Sequence, residues 1–236
     1  MALLDICKNA LNEIGGVEVP SSFFGSGNLT AKQCLALVLR GGNSLERTNR
    51  WSALIDTYTF DTVSGQAAYD LPEDFRAFAN MSQWDRTNNR PMMGPTPGFI
   101  WQFLKSGIAQ GATIDRWYRI QGGQFYIHPT PAADGETIAF DYYSKNWIVK
   151  QADNSNVNKF FSDNDTVRID EDLLTLDLKW RYLQAKGFPF EAEYREWEST
   201  LDEVRTDDGG KGRINLGTSR VVWTGLPDTG FGGGTT

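Results

Sequence analysis

The stretch IDEDLLTLDLKWRYLQAKGFPFEAEYREWESTLDEVRTDDGG, Ile169–Gly210, decides the reading of this chain. Leu173, Leu176, Trp180 and Leu183 recur at i, i+3, i+7 and i+10, and Tyr194, Trp197, Leu201 and Val204 repeat that spacing. Each half therefore predicts a helix with one apolar stripe. Asp170 is placed as an N-cap, with Ile169 and Leu174 as a hydrophobic staple. Glu171 and Asp172 complement the dipole of the first helix, and Gly187 with Pro189 ends it. The pair is an acidic helical hairpin. It runs into a Gly-rich tail, Gly209–Thr236, whose few apolar anchors cannot offset the entropy of ordering it alone.

Working outward, the N-terminal end is also helical. Residues 2–15 place Leu3, Cys7, Ala10, Leu11 and Ile14 on one side, with Gly15-Gly16 as the stop. A second helix is expected from Thr30, with Gln33 completing a capping box, towards Trp51. Gly41-Gly42 interrupts it and predicts a kink. Between the helical ends the pattern changes. Residues 56–63, 66–71, 117–122, 124–129 and 137–146 are aromatic and β-branched with partial alternation, separated by Gly65, Gly122-Gly123 and Asp134-Gly135. Gly122-Gly123 marks a tight hairpin, and Phe99–Ile108 reads as one short helix. The expected fold is α+β. A bundle of 1–51 and 162–208 carries an inserted antiparallel β domain, 52–161, and an extended tail, 209–236.

The charge of −7 is unevenly spread: Asp163–Asp208 carries −8, the rest about +1 and the tail +2. Such a chain lacks the basic footprint that phosphate contacts require. No apolar run approaches the roughly 18 residues of a membrane span, and the N-terminus lacks the layout of a signal peptide. Cys7 and Cys34 fall on apolar helix faces and are expected as buried free thiols.

The residues of catalysis are not assembled in any motif. His128, the single histidine, sits between Ile127 and Pro129 with no nucleophile elbow in the chain. Asp163-Asn164-Asp165 opens like a calcium loop, but Arg168 and Leu174 occupy the positions of its glycine and closing glutamate. Two distant cysteines and one histidine do not make a zinc site. Trp84, Trp101, Trp117, Tyr118, Tyr126, Tyr142, Tyr143 and Trp147, with Glu73 and Asp74, could build a sugar platform with a carboxylate pair. A small sheet core needing large side chains accounts for the same rings. No enzyme, cofactor or metal is expected.

Four segments carry a resemblance. LLDICKNALNEIGGVEV (3–19), LTAKQCLALVLRGGNSLERTNRW (29–51), TFDTVSGQAAYDLPEDF (59–75) and the hairpin (167–210) resemble, in order and character, the head-to-tail adaptors of tailed bacteriophages, in particular the tail tubular A-type proteins of short-tailed phages. The resemblance implies a virion protein, assembled in the host cytoplasm, that forms a twelvefold ring of identical subunits. It implies docking beneath the portal protein and a bridge to a tail nozzle or tail tube. Genomic DNA would pass through the channel without specific binding. In the tail, Arg213, Ile214, Leu216, Arg220, Val221, Val222, Trp223 and Leu226 are the expected portal-binding residues, with Trp223 as the hot spot. Glu193, Glu196, Asp202 and Glu203 are the acidic residues expected to face the channel. The alternatives are another neck or tail-completion protein near the nozzle and, more remotely, a carbohydrate-binding or hydrolytic β domain.

Overall fold

The computed structural model describes residues 1–106 and 115–209. The chain opens with α1 (Leu3–Ile14) and α2 (Leu29–Thr48), and a 3-10 turn at Ser52–Leu54 leads into the strands. There follow β1 (Ile55–Asp61), β2 (Ala68–Asp70), β3 (Phe75–Phe78), β4 (Trp84–Asp85), β5 (Arg90–Pro91), α3 (Gly98–Lys105), β6 (Trp117–Gln121), β7 (Gln124–His128) and β8 (Thr137–Ser144). The short β9 (Ile148–Val149), β10 (Asn156–Val157) and β11 (Thr166–Val167) precede α4 (Glu171–Lys186) and α5 (Glu191–Gly209). The α+β class read from the sequence is the observed one.

The hairpin forms as its capping residues dictate. The Asp170 carboxylate accepts from Leu173 N at 2.8 Å, and Gly187 closes α4 in the left-handed conformation (φ +77°). What the single-stripe pattern did not show is that α4 lies in the middle. Leu174, Leu178 and Tyr182 are buried along with Leu173 and Trp180, because α1 and α2 pack on one side of α4 and α5 on another. Helix α5 is the outer layer. Of its stripe only Leu201 is fully buried, while Tyr194, Trp197 and Val204 are half-buried against α4.

Two sequence expectations for α2 give way. Its cap is Asn28, whose Oδ1 accepts from Thr30 N and Ala31 N, so the helix begins one residue before Thr30 and the Thr30–Gln33 capping box is not its start. The helix also runs unbroken through Gly41-Gly42, both buried. These glycines mark close approach instead of a kink. A Cβ on Gly41 would collide with the Asp177 carboxylate of α4, and one on Gly42 would lie within 2.6 Å of three ring carbons of Trp147.

The strands build two facing antiparallel sheets. One has the order β1-β8-β4-β5, with β3 also on β8, and the other is β2-β7-β6. The β1–β8 register runs from Ile55↔Tyr143 to Asp61↔Thr137. The Gly122-Gly123 hairpin is present, both glycines at positive φ, with Gln121 opposite Gln124. Rings fill the space between the sheets. Phe125 of β7 stacks on Phe140 of β8 (5.6 Å, 20°) and on Tyr118 of β6 (5.0 Å, 10°).

A second core fills the helical layer, and it takes Trp147, Ile148 and Phe160 from the chain that returns from β8. A third sheet, β10-β9-β11, organises that return. Its two-residue strands are too short to leave a periodic trace in the sequence. Asp163 and Asp165 hold it in place. Asp163 accepts from Phe23 N and Phe24 N, and buried Asp165 accepts from Gln151 N, Phe161 N and Ser162 N. The carbonyls of the same two residues take the first amides of α1, Leu4 N and Leu3 N. These aspartates are ties between segments.

Candidate functional site

The portal-binding residues expected in the tail, Arg213, Ile214, Leu216, Arg220, Val221, Val222, Trp223 and Leu226, lie outside the described residues. The acidic set lies on α5. At about 100° per residue, Glu193, Glu196, Glu203 and Asp207 share one stripe with Thr200 and no basic residue. Asp202 stands about 100° round the helix from Glu203 and pairs with Arg205 (3.5 Å). Three of the four expected residues thus form a row, and Asp207 in place of Asp202 completes it. Among the described residues none of the row is in an ion pair. Behind the row an aromatic seam joins the hairpin, with Trp180 against Trp197 (5.8 Å) and edge-on to Tyr194 (5.2 Å). The guanidinium of Arg181 lies 4.4 Å from the Trp180 ring while its Nε donates to buried Asp177 at 2.6 Å. Burial raises the Asp177 carboxyl above the ordinary aspartate range, against the pull of Arg181.

A feature invisible in the sequence is a cleft of about 470 Å³ between the C-terminal half of α2, β3 and the turns after β8 and β10. Leu39, Asn43, Glu46, Arg47, Arg76, Lys145, Asn158 and Lys159 line it. Arg76 is its fixed cation. The guanidinium bonds Glu46 Oε1 (2.8 Å) and the carbonyls of Glu46 and Arg47, capping the negative end of α2. The Glu46 carboxyl is nevertheless raised, because desolvation outweighs Arg76. Four distant segments supply these residues, so no local motif announces the cleft. A second exposed feature is a phenylalanine pair one turn apart on α3. Phe99 and Phe103 are 75% and 55% exposed, while Trp101 and Leu104 of the same helix are buried.

Of the rings considered for a sugar platform, Tyr118 and Tyr142 belong to the sheet core and Trp147 to the helical core. Trp101, Tyr118, Tyr142, Tyr143 and Trp147 are buried, Trp84, Trp117 and Tyr126 half-buried, and Asp74 accepts from the Tyr142 and Ser144 hydroxyls. His128 is buried edge-on against Trp101 (5.9 Å), with its pKa held below the ordinary value by burial and by Lys105. Cys7 and Cys34 are buried free thiols, and burial pushes Cys34 up to about 11 and Cys7 further. Among the described residues no cluster of three His, Cys, Asp or Glu could hold a metal ion, and no helix is long and apolar enough to cross a membrane.

An α+β body with an acidic outer helix, an exposed aromatic pair and a shallow basic cleft presents surfaces for contact with other macromolecules. Comparison with protein families gives that class its name: the molecule is a bacteriophage structural adaptor, a virion component. The chain belongs to the SU10 adaptor protein family, whose model matches residues 1–218 and so spans the whole described body. No curated protein matches the chain.

Proposed function

We propose that this adaptor forms a ring of identical subunits that joins the portal to the tail and leaves a channel for the genome. It resembles the tail tubular A-type proteins in the order of its segments, and twelve subunits is the number that resemblance implies. The observation that carries the reading is the family match over residues 1–218. The body supports it, since the match includes the three sheets and five helices of the described residues, and its charge suits passage of DNA without binding. The C-terminal tail docks on the portal through Arg213, Arg220 and the apolar group around Trp223. A Gly-rich segment with a few apolar and basic anchors suits docking of this kind.

The test is the mass of the purified chain alone and after addition of the portal ring of its phage. The expected result is a ring of defined mass on the portal. Truncation after Gly210 should leave a folded body, by circular dichroism, that no longer joins the portal. A chain that binds purified tail components and never portals would move the protein to a nozzle-proximal position. Failure to associate with either would remove the ring.

A further inference from the structure

We propose that the basic cleft on α2 is one half of the contact between neighbouring copies in the ring, and that the acidic row of α5 on the next copy is the other half. The inference rests on the ring reading above and adds its subunit contact.

The cleft is over-supplied with positive charge. Arg47, Arg76, Lys145 and Lys159 face it against one carboxylate, Glu46, which already pairs with Arg76. Arg47, Lys145 and Lys159 are in no ion pair among the described residues. Asn43 Oδ1 accepts from Trp147 Nε1, leaving its amide N–H groups as donors. An adjoining cavity shares Lys145, Asn158 and Lys159 and adds Glu73 and Asp74. Asp74, which accepts from the Tyr142 and Ser144 hydroxyls, and exposed Glu73 bound the positive surface on that side.

The row has the opposite imbalance. Glu193, Glu196, Glu203 and Asp207 extend over about 21 Å of helix with no cation in the same stripe. Like charges three and four residues apart oppose the helix that carries them. A cationic surface on a partner removes that cost.

The two surfaces do not meet within one copy. The Gly41 side of α2 faces Asp177 of α4, and Leu39, Asn43, Glu46 and Arg47 lie roughly 140–240° round the helix from it. The cleft therefore opens away from α4, whereas α5 is seated on α4 through Trp180. Two different, complementary patches on one subunit make a heterologous, head-to-tail contact, the kind that builds a ring when its rotation closes. Charge complementarity of this kind fixes register and speeds association. This use of the row replaces the channel-lining role expected from the sequence.

Charge reversal in the full-length chain tests it. One variant carries Glu196→Lys and Glu203→Lys, the other Lys145→Glu and Lys159→Glu, with circular dichroism confirming that both fold. Association is followed by analytical ultracentrifugation, alone and on the portal ring. Each variant by itself should associate roughly tenfold or more weakly than wild type. An equimolar mixture should recover to within about threefold and contain the two chains in equal numbers, because each reversed surface then meets an opposite one. If wild type associates and the variants do so equally well, or if mixing does not restore them, the contact is wrong and the ring stands. A reversed row that leaves association intact but retains DNA at low salt would return the row to the channel and overturn the proposal. A wild type that associates under neither condition would remove the ring reading itself.

Discussion

Gly42→Ala is the sharpest test of the helical core, because two principles predict opposite signs. A glycine in a helix interior costs about 1 kcal/mol relative to alanine, so propensity alone makes the substitution stabilising. The tertiary structure reverses this. The new methyl would sit within 2.6 Å of three ring carbons of Trp147. That indole is fully buried, anchored by Nε1 to Asn43 Oδ1 at 3.0 Å and packed edge-on against Phe160 at 5.5 Å. It has no free side to move into. Overpacking of this kind costs ~1–3 kcal/mol, and a pinned ring puts the cost near the upper end. After the gain in propensity the net expectation is about 2 kcal/mol of destabilisation, or a fall in Tm of roughly 4–8 °C for a chain of this size. Urea and thermal unfolding followed by far-UV circular dichroism measure it. Gly98→Ala is the control, since its added methyl meets nothing within 4 Å and should be neutral or slightly stabilising. Adding Trp147→Leu to Gly42→Ala should cost clearly less than the two changes summed, the signature of a shared contact. A Gly42→Ala protein as stable as wild type would refute the reasoning, and with it the packing of α2 on Trp147.

Other outcomes follow from the same structure. Asp165→Ala orphans the amides of Gln151, Phe161 and Ser162 and should cost about 3 kcal/mol, measured by urea unfolding; a loss below about 1 kcal/mol would show that Asp165 is not the tie described here. His128, the single histidine, should titrate by NMR with a midpoint below 6.5. With the folded pKa depressed, its contribution to stability is present above 6.5 and is lost as pH falls through the folded value, because the unfolded chain binds the proton first. A midpoint at or above 6.5 would contradict its burial against Trp101. Both cysteines should resist a thiol reagent in the native protein at pH 8 and react fully in denaturant, since burial disfavours each thiolate; fast native labelling of either would refute the core assignment.

Where a signal is local, the sequence carried it. Asp170 and Gly187 bound α4 because capping involves residues within one turn, and the Gly122-Gly123 hairpin follows from two adjacent left-handed residues. Strands β1, β2, β6, β7 and β8 alternate strongly enough to be read, whereas the short β3, β4 and β5 leave no such trace. Errors begin where a residue's role is set by something remote. Gly41-Gly42 looks like a helix break until Asp177 and Trp147 are placed against it. Asp163-Asn164-Asp165 is rightly set aside as a cation loop, but nothing local shows that its carboxylates bind amides up to 140 residues away. Of the row on α5, Glu193, Glu196 and Glu203 are named from the sequence, Asp207 is missed, and Asp202 is set apart with Arg205 by helical phase.

By itself, then, the sequence determined the elements, their caps and turns, the acidity of the hairpin and the antiparallel character of the aromatic block, since each depends on neighbours within a few residues. Only the tertiary structure decided that α4 is the central helix, that two glycines of α2 are points of close approach, and that Arg47, Arg76, Lys145 and Lys159 line one cleft. Those facts come from residues brought together by packing across distant segments, and helical or strand periodicity holds no record of which faces will meet.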